Sequence, residues 1–181
     1  MRQPDQPIGL TRRGMLQGTL ATGAAVVLLG GTPLILGRGG AWAMELKGLS
    51  PDQGAALMRF TRDLFPHDQL VDAVYASAIA PLDEEAARDA KTKALLADGI
   101  ADLDARTMKV DGTRFADTTI EATRIAALKE IESSAFFKKV YGSTLTPLYN
   151  NRDAWMKFGF EGPSAPEGGY LHRGFDDLDW L

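Results

Sequence analysis

From Ser50 onward apolar residues recur three and four positions apart, and no run sustains the alternation of a half-buried strand. The chain is therefore expected to be all-α. Ser50-Pro51-Asp52-Gln53 reads as a helix start: Ser caps, Pro takes the first helical position, and Gln stands where it can close a capping box. This helix should reach Leu64, burying Leu57, Met58, Phe60, Leu64 and Phe65 while Asp52, Arg59, Arg62 and Asp63 face water, before Pro66 breaks it. A short second helix is expected over 71–80. Asp83-Glu84-Glu85 supplies negative charge suited to a first turn, which predicts a long helix to about Met108. Its Leu96, Ile100, Leu103 and Thr107 form an inward stripe, and Asp98, Asp102 and Asp104 ride largely outside.

Asp111-Gly112 marks a turn, after which Asp117 is placed to cap a helix over 118–132 with Ile120, Ile125, Ala127, Leu128 and Ile131 as its apolar positions. Ser133 or Ser134 can cap the next, which carries Phe136, Phe137, Val140, Tyr141 and Leu145 and should bend near Pro147. Asn150-Asn151-Arg152-Asp153 then turns the chain into a short aromatic segment, Ala154-Trp155-Met156-Lys157-Phe158. The expected architecture is a small bundle of four to six helices.

Ahead of this body, Thr11-Arg12-Arg13-Gly14-Met15-Leu16 runs into a Gly- and Ala-rich apolar stretch and then Ala41-Trp42-Ala43. Paired arginines before such a stretch form a twin-arginine export signal, in which Thr11, Arg12, Arg13, Met15 and Leu16 are read by a receptor that passes on folded cargo. Ala41 and Ala43 mark the cleavage point, so residues 1–43 form the leader, 44–159 the helical domain and 160–181 an extended arm. Arg38 favours the twin-arginine route over an ordinary secretory signal. A retained anchor or an uncleaved leader is the rival reading, although Gly18, Gly23, Gly30, Gly31 and Pro33 make the stretch a poor spanning helix.

Net charge moves from −4 for the whole chain to −7 once the leader's +3 is removed. Clustered Lys and Arg are what neutralise phosphates, so this balance argues against nucleic acid and against an anionic lipid surface. The absence of cysteine excludes disulfides, thioether-linked haem, cysteine-ligated clusters and a lipidated Cys at the cleavage point. His67 and His172 are the only imidazoles, and each stands near acidic residues, as in His67-Asp68 and His172 with Asp176. Neither pair has an accompanying nucleophile or oxyanion motif, and the residues assign no catalytic, cofactor or metal site to this chain. An export route for folded cargo, on a chain without a cofactor site, points to a cofactor held by a partner.

Residues 160–181 fit neither helix nor strand, yet Tyr170, Leu171, Phe175, Leu178, Trp180 and Leu181 must pack on something. Two readings stand: a tail tucked over its own body, or an arm reaching another subunit. In the second, Trp155, Phe158, Tyr170, Leu171, His172, Arg173, Phe175, Asp176, Asp177 and Trp180 form the partner interface.

Phe136-Phe137-Lys138-Lys139-Val140, Leu148-Tyr149-Asn150-Asn151, Trp155, Phe158-Gly159-Phe160-Glu161-Gly162-Pro163-Ser164 and Gly168-Gly169-Tyr170-Leu171-His172-Arg173-Gly174-Phe175-Asp176-Asp177 resemble the small subunit of gluconate 2-dehydrogenase-type complexes, the subunit 3 family. The likeness extends through Leu64-Phe65-Pro66-His67-Asp68 to the twin-arginine leader, and its specificity lies in the C-terminal third. The resemblance implies a non-catalytic periplasmic subunit, without a cofactor of its own. Its partner would be an FAD-dependent dehydrogenase large subunit of the glucose-methanol-choline type, joined in membrane-attached versions by a multihaem cytochrome c. It further implies that the small subunit supports maturation and export of the flavoprotein through the twin-arginine translocase. A solitary periplasmic helical binding protein, or a stand-alone hydrolytic enzyme, are the alternatives from other classes.

Overall fold

A computed structural model describes residues 25–29, 32–36 and 43–171. Six α-helices dominate: α1 (Pro51–Leu64), α2 (Asp72–Arg88), α3 (Ala90–Asp111), α4 (Glu121–Glu130), α5 (Ala135–Tyr149) and α6 (Arg152–Lys157). Ahead of them three short strands, β1 (Ala25–Leu29), β2 (Thr32–Leu36) and β3 (Ala43–Glu45), form an antiparallel sheet in chain order. The all-α expectation holds for the body, whereas the sheet is a departure from it. Its two longer strands, AVVLL and TPLIL, show no polar–apolar alternation, so an alternation test does not detect them, and both lie in the stretch read as an export leader.

Helix α1 begins and ends where the sequence placed it. The Ser50 hydroxyl accepts the Gln53 amide at 3.3 Å, and Gln53 Oε1 accepts the Ser50 amide at 2.8 Å. At the other end the Phe65 amide still reaches the Thr61 carbonyl at 3.0 Å, and Pro66 then stops the helix. Its buried face carries Leu57, Met58 and Phe60 as expected, and Phe65 just beyond it is buried too. Arg59 and Asp63, expected in water, are instead largely covered, with side chains 13% and 8% exposed. The reason is Arg124 of α4, which lies over them: its Nε and Nη2 donate to the two Asp63 carboxylate oxygens at 2.6 and 3.0 Å, and its Nη1 donates to the Thr118 carbonyl at 3.0 Å. A planar guanidinium satisfied on both edges is the form of ion pair that tolerates such burial.

The second helix is longer than predicted and absorbs the predicted start of the third. Asp83 does not open a helix; it sits within α2, 1% exposed, and its carboxylate accepts the amides of Lys47 at 2.8 Å, Gly48 at 3.0 Å and Leu49 at 2.9 Å. Helix α3 opens six residues later, where Asp89 caps the Lys91 and Thr92 amides at 3.2 and 2.9 Å. Its inward stripe is Thr92, Leu96, Ile100, Leu103 and Thr107, and Gly112 ends it with φ +75°. Asp98 and Asp102 are exposed as expected. Asp104 is half-buried: it accepts the Phe115 amide at 2.9 Å, and burial raises its pKa against that hydrogen bond.

Helix α4 starts later than 118 because its expected cap, Asp117, and its expected first residue, Thr118, are engaged elsewhere. Asp117 accepts from Arg114 Nε at 2.8 Å, and the buried Thr118 hydroxyl donates to Asp111. Helix α5 is capped by Ser134, whose hydroxyl accepts the Phe137 amide at 3.1 Å, and it runs through Pro147 in its last turn. Helix α2 packs most extensively on α5 and also meets α1 and α3, so it is central to the bundle. Phe60, Tyr75, Leu82, Leu96, Leu103, Phe115 and Leu148 are fully buried.

Asp83→Ala would strand three amides at the junction between sheet and bundle, since a buried donor left without a partner costs about 1–3 kcal/mol. Urea unfolding is expected to show a loss of roughly 2–4 kcal/mol, allowing for partial access of water; a loss below about 0.5 kcal/mol would contradict the arrangement.

Candidate functional site

The segment after α1 is fixed by a buried phenol. Tyr75, fully buried on α2, donates its hydroxyl to the Phe65 carbonyl at 2.5 Å and accepts the His67 amide at 3.2 Å. The Arg62 guanidinium lies 4.5 Å from the Tyr75 ring centre and pairs with Asp72 at 3.1 Å. The turn 65–67 is thereby held against the bundle, and the His67 ring is presented toward the end of α5.

There His67 Nε2 shares a hydrogen bond with the Tyr149 hydroxyl at 2.7 Å. The His67 ring also meets Tyr149 edge-on at 5.6 Å and Phe158 at 4.9 Å. Phe65 lies between Tyr141, stacked at 5.8 Å, and Tyr149, edge-on at 5.9 Å. Tyr141 stacks in turn on Phe137, one helical turn earlier, at 6.5 Å, and Phe137 meets the core ring Phe60 at 5.5 Å. Offset and edge-on contacts at these distances are favourable beyond the area they bury. The result is an unbroken run of rings from the centre of the bundle at Phe60 to its surface at Phe158.

Helix α6 extends the surface. Asn151 caps it through the Asp153 amide at 2.9 Å and donates its side-chain amide to Ser77 Oγ at 3.0 Å, tying α6 to α2. The Trp155 indole donates to the Tyr149 carbonyl at 2.6 Å and meets Phe160 edge-on at 5.4 Å. Gly162, at φ +110°, passes across the Trp155 ring, a backbone conformation that glycine adopts without strain. Tyr141, Tyr149 and Phe160 remain about two-fifths exposed, and Met156, Tyr170 and Leu171 well over half. Burial raises the Tyr149 pKa, with Tyr75 and Tyr141 adding to the effect, so the phenol is held neutral. Beside Phe137 a surface groove of about 250 Å³ is lined by Leu64, Ile125, Leu128 and Phe137 together with Asp63, Lys129 and Glu132.

The structure brings Trp155 and Phe158 of the predicted interface together, and leaves Tyr170 and Leu171 exposed at the end of the described chain. His172, Arg173, Phe175, Asp176, Asp177 and Trp180 lie outside the described residues, as do Thr11, Arg12, Arg13, Met15, Leu16 and Ala41. Ala43 lies in β3. Of the histidine–carboxylate pairs, His67 bonds Tyr149, and Asp68 is exposed. Among the described residues no three His, Cys, Asp or Glu side chains converge as a metal site.

Sequence reasoning assigned Phe65 to a buried helix face, placed Tyr141 on the helix without an interface role, and gave Tyr149 none either. The spacing of Phe137 and Tyr141 at i and i+4, continued by Tyr149 two turns on, is the signal that marks them as one face of α5. Comparison of the chain with protein families, with curated proteins and with solved structures finds no match.

Because burial favours the neutral phenol of Tyr149, its contribution to stability is present below the ordinary tyrosine range and is lost as pH rises through the raised folded value. Tyr149→Phe is expected to remove a late-ionising phenol from an alkaline titration followed by ultraviolet absorbance. A curve whose late component survives the substitution would contradict this.

Proposed function

We propose that this chain is the non-catalytic small subunit of an FAD-dependent dehydrogenase of the glucose-methanol-choline type, in a complex that oxidises a sugar, sugar acid or alcohol. It supports maturation and twin-arginine export of the flavoprotein large subunit and remains docked to it at the periplasmic face of the inner membrane. The flavin and the base that works on substrate belong to that partner, and a multihaem cytochrome c is a third component where electrons pass to a membrane chain. Arg12 and Arg13 address the translocase, while the aromatic surface and the arm beyond Gly168 hold the flavoprotein.

One observation supports this reading most. The family likeness is carried by 64–68, 136–140, 148–151, Trp155, 158–164 and 168–177; these are scattered along the chain, yet Phe65, His67, Phe137, Tyr149, Trp155 and Phe158 stand in one connected cluster. Interior packing calls for apolar side chains there. It does not call for two partly exposed tyrosines, a histidine and a tryptophan opening onto the surface. Aromatic residues rich in area and carrying one polar tip are the residues that interfaces use as anchors. The acidic balance of the body suits a protein partner better than a polyanion. Among the described residues no helix is long and apolar enough to cross a membrane.

Coexpression with the flavoprotein tests the reading. Replacing Arg12 and Arg13 by Lys should leave both chains in the cytoplasm, and export of both at the normal level would refute the carrier role. Trp155→Ala with Phe158→Ala, or truncation before Gly168, should weaken copurification, each anchor contributing about 2 kcal/mol. An undisturbed complex with both changes in place, or a stable native monomer free of flavoprotein, would overturn docking at this surface.

A further inference from the structure

The bond at which the leader would be cut, Ala43–Met44, lies in β3 of the sheet. Leu36 stands opposite Ala43, Ile35 opposite Met44 and Leu34 opposite Glu45, so the Ala43–Met44 bond runs alongside a paired strand. The two sides of that bond are anchored independently. On the leader side, Ile35 is fully buried, and its Cδ1 and the Leu46 Cδ1 each lie 2.9 Å from where a Cβ would stand at Gly54 of α1. Only glycine at position 54 lets both side chains seat so low on the helix. On the body side, residues 47–49 are tied to α2 by the three amide bonds to Asp83. Gly48 is pressed against the same helix, where a Cβ would fall 2.3 Å from the Ala87 nitrogen and 2.6 Å from the Asp83 carbonyl oxygen.

We propose that the folded body keeps the Ala43–Met44 bond closed to processing, so that β2 stays on the domain as a structural strand and the leader is released only when β2 separates from β3. This rests on the export-leader reading above. A peptidase takes its substrate as a single extended strand threaded through a cleft, which a strand held between a neighbouring strand and a helix cannot supply. Cleavage then proceeds through a local opening, at a rate set by the fraction of molecules in which the pair has parted. Ile35 is the latch: loss of its buried side chain raises the open fraction without touching the bond itself.

The test uses the full-length folded chain with signal peptidase in detergent micelles, followed by intact mass and N-terminal sequencing. A synthetic peptide covering residues 34–49 serves as the unstructured reference. The folded chain is expected to be cut after Ala43 at least about tenfold more slowly than the peptide, with Ile35→Asp restoring most of the peptide's rate and Ile35→Ala falling between. Hydrogen exchange over residues 43–46 should accelerate in the same order, which reports strand opening whatever the variants do to overall stability. Equal cleavage of folded chain and peptide, or exchange over 43–46 as fast in the native chain as in Ile35→Asp, would overturn the latch. A peptide that is not cut at all would instead refute the cleavage site, and with it the leader reading on which the latch depends.

Discussion

One buried carboxylate arranges the N-terminal half of this molecule. Asp83 lies in the C-terminal half of α2 with both oxygens committed to the amides of residues 47–49, which stand between β3 and α1. Without it, the chain leaving β3 would carry unpaired donors into the space between α1 and α2. With it, the chain is turned directly into the Ser50 cap, and α1 is launched along the helix that forms the centre of the bundle. The path of the chain between the sheet and α1 follows from where that carboxylate is fixed.

The opposite end of α1 is organised by a phenol in a comparable way. Tyr75 closes the 65–67 turn through its hydroxyl while its ring remains in the core, so a rigid element dictates the position of a surface histidine. From there the side chains become progressively wetter: Phe60 is buried, Phe137 is half-buried, and Tyr141 and Tyr149 are exposed along one edge. A surface built as the outcrop of a packed core is preorganised. Binding to it would order few additional rotamers, which is where association usually loses much of its gross gain.

How much of this could be read from the chain depended on whether a residue acts locally. The Ser50 capping box, the Ser134 cap, the Asp111-Gly112 turn and the stripe from Leu96 to Thr107 are settled by neighbours within a turn of helix, and each was legible. Asp83 and Asp117 both have a chemistry suited to helix starts, but each is engaged elsewhere: Asp83 by amides 34 to 36 positions away, and Asp117 by Arg114 three residues before it, while Thr118, expected as the first helical residue, donates to Asp111. Arg59 and Asp63 were assigned to water because nothing nearby in the sequence announces that Arg124, 61 positions beyond Asp63, will cover them. At the aromatic surface, composition and family likeness indicated Trp155 and Phe158, but not the Tyr149–His67 bond that joins 82 positions of chain. The strands escaped notice because runs of adjacent apolar residues, as in AVVLL and the LIL of β2, have no period of two to detect.

On the proposed export-leader reading, a signal and a folded strand place opposing demands on the same residues, and the way the strand is attached bears on how one segment would meet both. Ile35 of β2 is fully buried, and the core beneath it is assembled from helices whose caps, ion pairs and ring contacts lie beyond residue 46. Seating one isoleucine is worth about 1.5–3 kcal/mol, and a small sheet of short strands adds little independent stability. Lifting β2 away would give up the Ile35 seat and the strand pairing and leave the caps, ion pairs and ring contacts of the helices in place. On the proposed export route, a receptor would draw the leader out while the cargo stays folded, and release would let the pair close again over the Ala43–Met44 bond. The fixed point of such a movement is Asp83, beyond which displacement would propagate into the body.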